Sequence, residues 1–96
     1  MLMHIGVCTI WLTIPDSHSL KQKRQVVKSI TDRLKNRFNI AVAEVDGLDR
    51  HQQAVLGVVS VSNDTKHLNR VLSYVINFVE DALLAELTDY EIEILS

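Results

Sequence analysis

Hydrophobic and polar positions along the chain fall into six blocks with two rhythms. Met3 to Ile14 is apolar on both alternating faces, with Ile5, Val7 and Trp11 on one and Cys8, Ile10, Leu12 and Ile14 on the other. That pattern predicts a strand in the middle of a sheet. From Ser19 to Phe38 the rhythm changes. Leu20, Val26, Val27, Ile30, Leu34 and Phe38 fall within an arc of roughly 120° at helical spacing, the buried face of an amphipathic helix. Pro15 stops the preceding strand, and Ser19 with Gln22 three residues on has the form of a capping box. Ile40 to Asp46 begins apolar and turns acidic, as an edge strand does, and the polar run Gly47 to Gln52 predicts a mobile hairpin loop. Gln53 to Ser62 is again apolar on both faces, a second central strand in which Gly57 marks a bulge or a close approach. Leu68, Val71, Leu72, Val75, Val79 and Leu83 then return to helical spacing, predicting a helix over Asp64 to Leu83 with N-cap candidates at its start. Finally Tyr90, Ile92 and Ile94 alternate with Glu91 and Glu93 between Leu87 and Leu95, the mark of a strand wet on one side.

The order βαββαβ, with its first and third strands apolar throughout, predicts an α+β fold of the ferredoxin-like split βαβ type. This is a four-stranded antiparallel sheet with two helices on one face, a single domain over residues 1–96. Ninety-six residues suffice for one modest core and not for two. Because the helices cover only one face, Ile5, Val7, Trp11, Val55, Val59 and Val61 are expected to line the other. An apolar patch of that size calls for a second copy, so a homo-oligomer through this face is expected.

Charge changes the picture. A net charge of −2 hides a strong asymmetry: residues 21–37 carry seven cations and one anion, residues 80–96 six anions and no cation. On the helical wheel Lys21, Arg24, Lys28 and Lys35 lie within roughly 60° of one another, in a stripe about 21 Å long. Lys23 projects near the middle of the apolar arc. Cations in a first turn oppose the helix dipole by roughly 0.3–1 kcal/mol each, and Lys21, Lys23 and Arg24 crowd that end. Such a local cost points to a working surface, so Lys21, Lys23, Arg24, Lys28 and Lys35 form a candidate nucleic-acid or anion-binding site. Two other readings stand beside it: a solvated face that binds nothing, and a dock for an acidic protein. The acidic segment is either a solubilising surface or a complement to the basic helix of a neighbouring copy.

Other chemistry is thin. Cys8 is alone in an apolar stretch, which suits a buried structural thiol. Glu44, Asp46, Asp49 and His51 cluster around a turn. Alternation puts Glu44 and Asp46 on one face, but nothing in the spacing defines a ligand set or a proton relay. The four histidines show no zinc spacing, and no GxGxxG, P-loop or GxSxG is present. The chain therefore reads as no enzyme, with no catalytic residue, metal site or cofactor. Recognition of RNA on the sheet face needs aromatics on the first and third strands, and only Trp11 is available. The apolar N-terminus lacks a basic n-region and is too short to span a bilayer, so a cytoplasmic protein without a membrane partner is expected.

The runs SLKQKRQVVKSITDRLKNRFNIAVAEVD, QQAVLGVVSVSND and DYEIEIL resemble the small bacterial YlxP-like family, a domain of unknown function. The resemblance rests most specifically on Ser19-Leu20-Lys21 with Lys23-Arg24, on Phe38-Asn39, on Ala43-Glu44 and on Ser62-Asn63-Asp64. It implies a ferredoxin-like fold and a cytoplasmic protein encoded, in many bacteria, near translation factors and a ribosome-binding factor. It implies no established activity, and the loop Gly47 to Gln52 departs from the family's wording. Two functions are expected on these grounds. The first is a non-catalytic module that binds the phosphate backbone of ribosomal RNA or a ribosomal subunit through the basic helix. The alternative is a homo-oligomeric protein-interaction or small-anion-binding module.

Overall fold

A computed structural model describes residues 2–95 of the chain. Its elements follow the order β1 (His4–Thr13), α1 (Leu20–Arg37), β2 (Ala41–Asp46), β3 (Gln53–Ser62), α2 (Thr65–Ala82) and β4 (Glu86–Leu95). The strands form one sheet in the order β2-β3-β1-β4 with every neighbour antiparallel, the ferredoxin-like split βαβ arrangement. The two strands that read as apolar on both faces, β1 and β3, take the two central places. The helix-side face of β1 carries Cys8, Ile10 and Leu12, paired across to Val58, Leu56 and Ala54 of β3, all buried. Onto it α1 brings Val27, Ile30 and Leu34, and α2 brings Leu72, Val75, Ile76 and Val79. Burial pushes the Cys8 thiol up to about 11, so it stays protonated and unreactive at neutral pH.

Gly57 is required by a close approach. A Cβ there would stand 2.9 Å from Cγ1 of Val45 on the neighbouring strand. The register slips beside it, between Glu44 and Asp46 of β2. That bulge corrects the expectation from simple alternation: Glu44 pairs with the buried Leu56 on the helix side, whereas Asp46 pairs with Val55 on the opposite face.

Helix ends follow local chemistry. The Ser19 hydroxyl accepts the Gln22 amide at 3.1 Å, while the Gln22 side chain accepts the His18 amide at 2.6 Å, one residue earlier than a standard capping box. Asp64 caps α2 by accepting the Lys66 amide at 2.9 Å. At the far end Leu83 adopts the left-handed conformation (φ 56°, ψ 25°) and is 86% exposed, a position that suits glycine.

The least expected part of the interior is Lys23. It leaves the first turns of α1 from the apolar face and is fully buried. Its ammonium donates to Glu44 Oε2 and to the Gly47 carbonyl, both at 2.7 Å, to the Gln53 carbonyl at 3.1 Å and to the Leu48 carbonyl at 3.2 Å. One positive charge thus ties α1 to β2, to the connecting loop and to the start of β3. The loop Gly47 to Gln52 is consequently held in place, which corrects the expectation of a mobile hairpin. Its C-terminal end is also stitched to the segment after β1: the Ile14 amide donates to the Gln52 carbonyl at 2.8 Å. The Gln52 side-chain amide reaches the carbonyls of Pro15 at 3.2 Å and Ser17 at 3.1 Å.

Removing one partner of such a buried pair leaves the other uncompensated. Lys23→Met should therefore lower the unfolding free energy by about 3–5 kcal/mol, read from urea melts. A loss below about 1 kcal/mol would show that the ammonium is dispensable. In the same melts Leu83→Gly should raise stability by about 0.5–1 kcal/mol, since glycine adopts the left-handed conformation without a Cβ penalty.

Candidate functional site

The expected basic surface forms only in part. Lys21, Arg24, Lys28 and Lys35 are all exposed, as their shared flank of the wheel requires. Lys23 does not join them. Its aliphatic stem crosses the apolar face and its charge is neutralised inside, so it is corrected from a ligand-binding residue to a buried anchor. Lys28 pairs with Asp32 one turn on, but both side chains remain largely solvated, so the pair adds little and opens easily. Lys21, Arg24 and Lys35 have no carboxylate within ion-pair distance among the described residues. At the end of the helix Arg37 lies 5.3 Å from the ring centroid of Phe78 in α2, which itself meets Phe38 edge to face.

The second expected surface also forms. Ile5 pairs with Val61, Val7 with Val59 and Trp11 with Val55, so the six residues stand side by side on the sheet face away from the helices. Val59 and Val61 are the most open of the six. Sequence reasoning missed what borders this patch. Register places Glu93 beside Val7, Glu91 beside Thr9 and Asp89 beside Trp11, so an acidic row on β4 runs along the same face. The alternation of β4 signalled a wet side but not which strand it would lie against. The molecule is therefore electrically divided. The row of exposed cations Lys21, Arg24, Lys28 and Lys35 lies on α1, which packs over β2, and the acidic row Asp89, Glu91 and Glu93 lies on the open face of β4 at the opposite edge of the sheet.

A third region, unforeseen as a site, lies where the loops meet. A cleft of about 520 Å³ opens between the segment after β1 and the β2–β3 loop, lined by Ser17, His18, Arg50, His51, Gln52 and Gln53. A smaller one of about 190 Å³ adjoins it on the side of Trp11, Asp46 and Thr88. Arg50 and Gln53 wall both, and Arg50 Nη1 donates to Gln53 Oε1 at 2.8 Å. The only signal in the sequence was polarity in two short segments, residues 17–18 and 50–53, that are far apart in the chain, and nothing in it said that they meet.

No metal centre assembles from the turn carboxylates. Glu44 is held by Lys23, and Asp46 Oδ1 accepts the Gly47 amide at 2.8 Å on the other side of the sheet. Among the described residues no three His, Cys, Asp or Glu side chains converge on a possible ion. No helix among them is long and apolar enough to cross a membrane.

The chain is similar to known proteins in sequence and, separately, in fold. The chain is 36% identical over 80 residues to a Bacillus subtilis (strain 168) protein described as "Uncharacterized protein YlxP", covering 79% of this chain and 87% of that one. Among solved structures, the "De novo designed protein Foldit4" matches with a TM-score of 0.57 at 14% identity, over 98% of this chain and 97% of that one, a likeness of fold alone. A C-terminal segment of the alpha subunit of aIF2 from Pyrococcus abyssi gives a TM-score of 0.49 at 11% identity, over 99% of this chain and 51% of that one. Residues 5–92 match the family described as "Protein of unknown function (DUF503)", and with nearly the whole domain matched, the chain belongs to that family.

Proposed function

We propose that the protein is a non-catalytic binding module that docks on the phosphate backbone of ribosomal RNA, free or in a ribosomal subunit, through the exposed flank of α1. The observation that carries this reading is the state of the helix cations. Lys21, Arg24 and Lys35 are solvent-facing and unpaired among the described residues, while the one cation that could be neutralised internally, Lys23, has been. Lys21, Arg24, Lys28 and Lys35 form a row along one flank, the geometry that tracks a polyanion rather than a single ion. The acidic row of β4 lies on the opposite side of the sheet, which would orient the molecule with α1 toward the RNA.

Replacing Lys21, Arg24 and Lys35 with Gln together should weaken binding to a ribosomal RNA fragment and reduce the slope of log K against log salt by about 2, measured by fluorescence anisotropy. A variant that binds like the parent at every salt concentration overturns the reading.

A second reading, self-association through the open sheet face, is favoured by the six apolar residues that register brings together there. On this reading sedimentation equilibrium of the parent gives about twice the 10.9 kDa chain mass, and Val59→Glu returns it to one. A parent that stays monomeric at millimolar concentration sinks it.

A further inference from the structure

We infer that the paired clefts at the loop end of the sheet form a binding site for a nucleoside monophosphate, with the phosphate held by Arg50, His51 and His18 and the base laid against Trp11. The site goes beyond the α1 reading, since none of Lys21, Arg24, Lys28 and Lys35 lines either cleft.

The larger cleft is walled by a guanidinium, two imidazoles, two carboxamides and a hydroxyl, with no carboxylate among its lining side chains. The Ser17 hydroxyl is already given to the Ser19 carbonyl and the Gln52 amide to the carbonyls of Pro15 and Ser17, so the donors left for a ligand are those of Arg50, His18, His51 and the Gln53 amide. The guanidinium has five donors, of which the contact with Gln53 uses one, and a neutral imidazole still carries one N–H. A concave surface rich in donors and free of carboxylates suits a phosphate, and a guanidinium can hold it in bidentate fashion.

The smaller cleft is different in kind. It contains Trp11, the one tryptophan of the chain, and Arg50 as the wall shared with its neighbour. Trp11 and Arg50 line the same cleft, so an aromatic residue and a phosphate-binding one share a wall, the two kinds of contact a nucleotide offers. Asp46 joins on the ring side, where Oδ1 is taken by the Gly47 amide and Oδ2 remains as an acceptor for a ribose hydroxyl or an exocyclic amine. The larger cleft, at about 520 Å³, lies within the range of small-ligand sites, roughly 300–1,000 Å³, and the smaller, at about 190 Å³, is an annex to it rather than a pocket of that size.

The backbone of the walls is tied down before any ligand arrives. Lys23 grips the carbonyls of Gly47, Leu48 and Gln53 on one side of Arg50 and His51 and on the other. Gln52 clamps the loop to Pro15 and Ser17, beside His18. The backbone ordering is thus in place before binding, and what remains to be ordered is the exposed side chains of Arg50, His51 and His18.

The single tryptophan makes the test direct. Titrating the full-length protein with adenosine 5′-monophosphate should change Trp11 emission saturably with a Kd in the millimolar range or below, whereas adenosine should bind at least about tenfold more weakly. Arg50→Gln should raise the Kd for the monophosphate by about tenfold or more with an unchanged far-UV spectrum, and His51→Gln should do so to a smaller extent. The triple replacement of Lys21, Arg24 and Lys35 should leave this titration as it was, which separates the site from the α1 flank. The ligand could be a free nucleotide or the phosphorylated end of an RNA strand. Tighter binding of a 5′-phosphorylated hexanucleotide than of both the monophosphate and the 5′-hydroxyl hexanucleotide assigns the strand end, and equal or weaker binding assigns the free nucleotide. No saturable response to the monophosphate, equal affinity for adenosine, or an Arg50→Gln variant that binds like the parent would each overturn the proposal.

Discussion

A buried ammonium group holds this domain's loop end together. Lys23 is fully buried, where an unpaired charge would cost several kcal/mol, and the surroundings answer it with one carboxylate and three carbonyl oxygens. A lysine ammonium has three protons, so four oxygens within 3.2 Å mean that at least one bond is shared. The arrangement demands that α1, the bulged end of β2 and the first residue of β3 meet at one point. The bulge between Glu44 and Asp46 serves the same end, since it keeps Glu44 on the helix side and turns Asp46 away. It also leaves Val45 against Gly57, where a larger residue would collide.

From that constraint the surfaces follow. With Lys23 neutralised inside, Lys21, Arg24, Lys28 and Lys35 remain on one exposed flank of α1, where a single acidic side chain, Asp32, pairs with one of them. With both helices on one face of the sheet, the apolar residues of β1 and β3 that point the other way have no cover within the chain. The edge position of β4 adds an acidic border to that face. Three separate surfaces thus coexist on a small domain: a basic helix flank, an apolar sheet face with an acidic edge, and a donor-lined cleft beside the domain's single tryptophan. Each has its own chemistry, and substitutions in one need not disturb the others, because they share few side chains.

Periodicity made most of the fold legible. The strands and helices begin and end within a residue or two of where apolar rhythm, Pro15, Ser19 and Asp64 place them, because these signals are local and act through adjacent backbone groups. The central places of β1 and β3 were also readable, since the strands richest in apolar residues on both faces are the ones kept away from the sheet edges. The position of Lys23 on the apolar arc was visible as well. What was misread was its meaning, because a wheel shows the direction of a side chain but not the oxygens that wait for it.

The sequence by itself determined the order of elements, the faces of the helices and the separation of charge along the chain, all set by spacing and composition within short segments. The tertiary structure alone decided that Glu44 and three loop carbonyls surround Lys23, that the β2 bulge splits Glu44 from Asp46, and that Ser17 and His18 meet Arg50 and His51 across a cleft. Those outcomes depend on register and on contacts between residues far apart in the chain. Their energies come from desolvation and hydrogen-bond geometry that exist only once the distant segments have packed.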